Sequence, residues 1–485
     1  MLSSHRYFYI ARISIELEQA MSLCAGLGMD TFDTELARDH NGLPTLPGSS
    51  IAGVFRTLYQ LHYDNEVETD SLFGFSQRKG NDSGDVPISS PSFVHFSWGH
   101  MHDKEDKPLQ NLIEHISDLD ELCQLAAARG GDALNRDRVR LNHRGVVDER
   151  GKFDRVVLPA GYRFSFEVSL WSERNKDERW QKLLHLVSSP QLRFGGATRS
   201  GFGKVRPLRI HQQCFDLHDS HNYENFSGLG SDVGDIALLT QFDEEIKQEN
   251  ALATWNCFHY QLKLKARDFW CFGGGTEAID DTWNGKLPDK LPKTEIRVIG
   301  WENKNPKFKS FLLIPESGIK GALLHRTAFY YNCLTDNFAT SDSDDYDVWE
   351  NPAVKRLFGY AKKDEESPGQ AGCLFFHAEP VSLEHGLTSS IMMHNSIDRF
   401  TGGVRDGMLF SEEMIFGNSI NFSIELVAAS HINIDAKIKQ AFLRALNDLE
   451  TGQLALGSGS SKGHGVFEKE SSEGNLKPWL AEEEV

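Results

Sequence analysis

No apolar run in this sequence approaches the roughly 18 residues needed to cross a membrane as a helix, so no membrane contact is expected. The first residues, MLSSHRYFYIARISIELEQ, lack the cationic, apolar and small-residue regions of a signal peptide and read as a strand. Cysteine is sparse and scattered: Cys24, Cys123, Cys214, Cys257, Cys271, Cys333 and Cys373 form no C-x-x-C pair. That argues against a zinc site and a disulfide framework, and for the reducing cytoplasm. No Walker lysine-serine pattern is present, which excludes a P-loop triphosphatase. Positive charge is short as well. The chain carries 51 Lys and Arg against 70 Asp and Glu, a net charge of -19, which argues against a nucleic-acid binder that uses its whole surface. The acid gathers in TSDSDDYDVWE (Thr340 to Glu350) and KKDEESPGQ (Lys362 to Gln370), which read as solvated loops. A local basic groove is compatible with that distribution.

What is present is a repeat. The 485 residues allow two to four domains, and several blocks occur twice in the same order. LCAGLGMDTFD (Leu23 to Asp33) parallels WCFGGGTEAID (Trp270 to Asp280), and at a constant offset Cys24, Gly26, Gly28 and Asp33 fall on Cys271, Gly273, Gly275 and Asp280. LPGSSIAGVFR (Leu46 to Arg56) parallels IPESGIKGALLHR (Ile314 to Arg326), and LFG occurs at Leu72 and at Leu357. GVVDERGKFDR (Gly145 to Arg155) parallels GGVRDGMLFSEE (Gly402 to Glu413). Last, GGATRSGFGKVRP (Gly195 to Pro207) parallels GSGSSKGHGVF (Gly457 to Phe467).

Each half has the same rhythm. RISIELEQ and YQLKLKA alternate as strands. Ile51, Val54, Phe55 and Leu58 give the stripe of an amphipathic helix, with Ser49 or Ser50 as its N-cap. YRFSFEVSLW and INFSIELVAAS are later strands, each followed by a helix, around Trp180 to Val187 and Ala436 to Leu449. The pattern fits an α+β sandwich of ferredoxin-like type in each half. The expected division is residues 1–217, a polar linker over 218–252, and residues 253–485.

Four features carry chemistry. A helix start offers free N–H groups and a positive dipole end to a phosphate, with Arg56 in one half and Ser317, Lys320 and Arg326 in the other placed beside it. The glycine-rich loops let a backbone approach a ligand closely, and Gly195, Gly196, Arg199 and Lys204, or Lys462 and His464, could hold phosphates there. Either loop also reads as a tight turn between core strands. The segment Asn135 to Gly161 is dense in cations, among them Arg138, Arg140, His143 and Arg144, and reads as a long hairpin around DERGK. Asn395 to Gly417, with Arg399 and Arg405, matches it. Finally Asp33 lies in a loop with Asp30, Glu35 and Asp39, where a carboxylate could ligate a divalent cation.

Together these blocks resemble the RAMP superfamily of CRISPR-associated proteins, and more closely the backbone (Cas-seven type) subunits of type III effector complexes. The nearest arrangement is the fused double backbone subunit of type III-D-like complexes. The resemblance implies two tandem ferredoxin-like (RRM-like) RAMP domains with long thumb hairpins and loop insertions. It implies a crRNA along the capped helices and glycine-rich loops, with target RNA and other CRISPR effector subunits as partners. It places a metal-dependent endoribonuclease centre, using Mg2+ or Mn2+, on Asp33. In the second half the loop from Asp280 to Ile314 is 21 residues longer than that from Asp33 to Leu46, and the motif reads Pro-Glu-Ser-Gly. Asp280 takes the equivalent place, with Asp281 adjacent and Asp268, within the strand, as further candidates. Two other readings remain: a scaffold that holds crRNA without cutting, and a metal-independent processing endoribonuclease using His143 or His464.

Overall fold

The structure, a computed structural model, describes residues 5–24, 34–77, 88–128, 134–242, 256–279, 286–338, 347–361, 369–383, 387–428 and 434–482. Asp33, Asp280 and Asp281 lie outside the described residues.

The first half runs β1 (Tyr7–Leu17), α1 (Gly48–Tyr63), β2 (Val94–Phe96), β3 (Arg138–Leu141), β4 (Val147–Phe153), β5 (Arg163–Ser172), α2 (Glu178–Leu186) and β6 (Val205–Asp216). Its sheet has the order β6–β1–β5–β2 and is antiparallel. Next come α3 (Ser220–Ser227) and β7 (Thr240–Gln241). The second half runs β8 (Asn256–Ala266), β9 (Thr294–Ile299), β10 (Lys307–Leu312), α4 (Glu316–Leu334), β11 (Leu374–Ala378), β12 (Thr388–Ile397), β13 (Val404–Phe416), β14 (Ser419–Ala428), α5 (Ala436–Glu450) and β15 (Phe467–Gly474). Its sheet order, β15–β8–β14–β11, repeats the first. Each sheet carries a bulge at the same step, between Ser14 and Ile15 and between Lys263 and Leu264. Both halves are thus the expected ferredoxin-like α+β sandwich. The apolar stripes of α1 and α4 bury Ile51, Phe55 and Leu58, and Ile319, Leu323 and Leu324, against their sheets.

Four local expectations are corrected. The α1 helix begins at Gly48 with Pro47 at the N-cap and no side-chain cap, so Ser49 and Ser50 lie inside its first turn. Pro47 has no N–H to satisfy, and its carbonyl accepts from Ser50 N at 2.9 Å and starts the helix. The first hairpin turns at Asn142 to Val146 rather than at DERGK, because the Asn142 side chain accepts from Arg144 N and Val146 N and makes an Asx turn. Asp268 is in the bend after β8, not in the strand.

The fourth correction concerns the polar stretch after residue 217, whose described part is no linker. Phe226, Leu229 and Leu239 pack with Phe8, Ile10 and Phe215 on the sheet face away from the helices, and β7 pairs with β6. Arg12 holds this cover in place. Its buried guanidinium donates to Gly230 O at 2.5 Å, to Asp235 O, and to Glu167 at 3.0 Å. On the second sheet the corresponding face meets the first half instead, where Leu61 packs against Phe375 and Val427, while Lys263 and Lys265 stand exposed on it.

The long loop of the second half is a clamp on the first. Its hairpin, β9 and β10, places Val298 and Trp301 in the first half's core. Val298 N donates to Ala160 O at 3.0 Å, and Trp301 Nε1 to Gly161 O at 2.8 Å. The Arg163 guanidinium sits 4.4 Å from the centre of the Trp301 ring. Gly161 must be glycine: its φ is +92° and a Cβ would strike Val298 O. In denaturant melts of the full chain, Trp301→Ala is expected to lose about 3–5 kcal/mol, as for a buried aromatic truncated in a core. An unchanged midpoint would mean that the clamp rests on the first half without stabilising it.

Candidate nucleic-acid interface

A cleft of about 580 Å3 lies between the halves. The first half lines it with β3, Phe153 and Ser200 to Phe202 of its glycine-rich loop. The second half contributes the start of α4, Gly273 and Gly274, and Ala455 to Gly457. A further cavity of about 480 Å3 opens on the other side of the first glycine-rich loop, lined by Ser50, Gly53 and Thr57 of α1, by Arg193, Gly195 and Arg199, and by Gly372 to Phe375 without residue 374.

Cations without counter-charges gather where these surfaces meet. Burial, then the nearby Arg155, lowers Arg138 to about 10, and its guanidinium lies 4.5 Å from the centre of the Phe202 ring. Lys320, one turn into α4, is pushed down to about 8 by burial and then by Arg138 and Arg199. Arg199 is lowered to about 10 by burial, then by Arg193. Among the described residues, no carboxylate stands at ion-pair distance from Arg138, Lys320 or Arg199. Arg136 pairs with Glu295 through Nη2 at 3.0 Å, while its Nη1 is buried without a partner. A pocket of partly desolvated cations is a strong attractor for an anion.

Glu316 sits beside them. Burial pushes its carboxyl up to about 8, so it is neutral at pH 7. Its Oε1 accepts from Gln19 Nε2 at 3.4 Å and from Ala378 N at 3.3 Å. Gly201, with φ of +84°, lies directly on this carboxyl, and a Cβ there would overlap Glu316 Cδ.

The sequence-expected cations divide sharply. Arg138, Ser317 and Lys320 line the inter-half cleft, as does Arg140, whose Nε also donates to Asp148 at 2.7 Å. His143 and Arg144 are in the turn of the first hairpin; Arg399 and Arg405 lie exposed on the second, where Phe400 is fully exposed at the tip. Gly196 lies under the Arg155 guanidinium, and Ser49 is in the first turn of α1. Arg199 is spent partly on the seam between the halves, donating to Gly372 O at 2.7 Å and stacking 3.6 Å from the Phe375 ring centre. Other cations are neutralised. Arg56 binds Asp70 and Gly74 O, Lys204 binds Glu18 at 3.3 Å, and Arg326 binds Asp448 at 3.1 Å. Lys462 shares the buried Glu412 with Lys290, at 3.1 and 2.8 Å. Burial opposes ionisation of Glu412, yet these two lysines hold its carboxyl below the usual range. His464 packs edge-on against Phe269.

Sequence reasoning missed Arg136, Trp301 and Glu316. Glu316 had a visible signal, since it stands where the first half has Gly48. Among the described residues, no group of three or more His, Cys, Asp or Glu is placed to hold a metal ion. None of their helices is long and apolar enough to cross a membrane.

The RAMP superfamily model matches this chain twice, over residues 27–206 and 298–468. No curated protein matches it. A solved structure with some likeness is a chain from the cryo-EM structure of the type III-B Cmr-beta bound to cognate target RNA, at 14% identity and a TM-score of 0.27. That likeness covers 44% of this chain and 62% of the other, so this chain spans less than two thirds of its length.

The unequal pairing of the cations sets an expectation for single-stranded RNA. Lys320→Ala should weaken binding by about tenfold and lower the slope of log K against log salt by about 0.7. Lys462→Ala and Arg56→Ala should leave the slope near wild type. Equal effects from all three would mean that the ion pairs open in solution.

Proposed function

The chain belongs to the RAMP superfamily, and from that premise we propose that it is a double backbone subunit of a type III CRISPR effector, holding crRNA and cutting the target RNA paired to it. The observation that carries the reading is the inter-half cleft, where Arg138 from one half and Lys320 from the other stand without counter-charge. A sugar–phosphate backbone supplies the missing negative charge at regular intervals. The two exposed hairpins would project toward the guide–target duplex, and other effector subunits would complete the assembly.

Cutting is assigned to Asp33, with Asp280 at the equivalent place in the second half. These carboxylates would hold the divalent cation, which supplies charge stabilisation at the phosphate. The reaction joins the target's own 2′-oxygen to the neighbouring phosphorus and releases the 5′-oxygen, leaving a 2′,3′-cyclic phosphate and a 5′-hydroxyl. The second half gives some support to a purely holding role. Its longer loop is committed in part to the clamp, and Glu412 neutralises Lys462.

The assembled complex and a labelled complementary RNA test this. Asp33→Ala should abolish one set of cuts and Asp280→Ala another, both without loss of RNA binding. Cutting that survives Asp33→Ala in full would remove the assigned centre. An Asp280→Ala pattern identical to wild type would leave the second half as scaffold. Cutting that persists in chelator would reject the metal requirement.

A further inference from the structure

We propose that Glu316 is a positioning residue: enclosed by Gln19, Gly201 and Ala378, it locks the first half's glycine-rich loop over the start of α4, and so holds Arg136, Arg138 and Lys320 around one phosphodiester of the bound RNA. The proposal rests on the RNA-binding reading above.

The geometry is specific to the seam. Gly201 of the first half lies on the Glu316 carboxyl, with no room between them for a methyl group. Gln19 of the first half donates to Glu316, and its Nε2 also meets His377 Nδ1 on β11. Ala378 on β11 donates its N–H to the same carboxyl. The side chain therefore bonds to Gln19 just after β1 and to the second sheet while lying against the loop before β6. The first half has Gly48 at this position, so nothing comparable exists there. The cleft that Glu316 floors is the one lined by Arg136, Arg138 and Lys320. Arg136 Nη1 is buried and unpartnered there, which marks a place prepared for an acceptor.

Charge on Glu316 would undo this arrangement. The groups that face it are Arg138 on β3, Glu295 and Arg297 on β9, Lys320 on its own helix, and His377 on β11. Arg297 and Arg136 are already committed to Glu295. His377 is pushed down to about 3 by burial and then by Lys204, and is neutral. An ionised Glu316 would find no free cation in contact. It would either draw Arg138 and Lys320 out of the seat or open the seam to water. Because burial raises the carboxyl above its ordinary 4.5, the lock is fully formed at low pH and is lost as pH rises through about 8.

The test is the affinity of the full chain for a fluorescein-labelled single-stranded RNA at fixed salt. Lys320 also titrates near this range, so the pH profile is measured in Lys320→Arg, which keeps the cation charged. Affinity there should fall about tenfold from about pH 7 to about pH 9, as expected when one protonated group is required. Adding Glu316→Gln should remove the fall and raise the melting temperature at the higher pH. A profile that is flat before Glu316→Gln, or that keeps its fall after it, overturns the proposal while leaving RNA binding intact. If neither Arg138→Ala nor Lys320→Ala weakens binding at about pH 7, the RNA-binding reading fails and takes the proposal with it.

Discussion

A carboxyl group enclosed by Gln19, Gly201 and Ala378 cannot carry charge without a cation beside it, and Glu316 has none at ion-pair distance among the described residues. Holding it neutral at pH 7 costs on the order of 3 kcal/mol relative to an unfolded chain in which it ionises. That cost is offset by what the seam buries around it. Val298 and Trp301 enter the first half's core, and Leu61 of α1 packs against Phe375 and Val427 of the second. Arg193 and Arg199 lie over the Phe375 ring from the first half, at 4.3 and 3.6 Å from its centre. The halves therefore meet through core-like packing, and the cleft between them inherits a fixed shape.

The duplication was legible in the sequence because it rests on identities: the same short blocks in the same order. The two sheets follow from it, down to the matching bulge. The seam was not legible because it is written where the repeats differ. Glu316 replaces Gly48, and the extra residues after Asp280 include the clamp. The cover on the first sheet was hidden for another reason. Phe226, Leu229 and Leu239 are too few and too widely spaced among polar residues to give a periodic signal, and the anchor Arg12 reads as a surface cation until the carbonyls it binds are known.

The candidate site was legible by residue type and not by pairing. Sequence shows that Arg56, Arg326 and Lys462 are cations near glycine-rich or helix-start motifs. It does not show that Asp70, Asp448 and Glu412 neutralise them, because most of those partners lie far away in the chain. What distinguishes Arg138 and Lys320 is the absence of such a partner, which only the docked halves define. An overall charge of -19 conceals this as well. The net figure says nothing about which cations remain unpaired.

The same seam explains why the two halves are not interchangeable. In the first half the Gly161 carbonyl is satisfied from outside, by Trp301 of the clamp. In the second half Gly417 ends the matching hairpin, and its carbonyl accepts at 2.6 Å from Trp270 of the same half. Strand pairing puts Met21, rather than the Leu23 that the sequence repeat suggests, in the place of Trp270: Met21 pairs with Leu158 and Trp270 with Ile415, so one half leaves its acceptor for a neighbour and the other closes it internally. Val298 and Trp301 also fill the first half's core, so the first half is completed by the second. A cleft built across such a contact exists only in the joined chain. Fusion then does more than tether two similar domains: it supplies the second wall, and the second set of cations, of the site that would hold RNA.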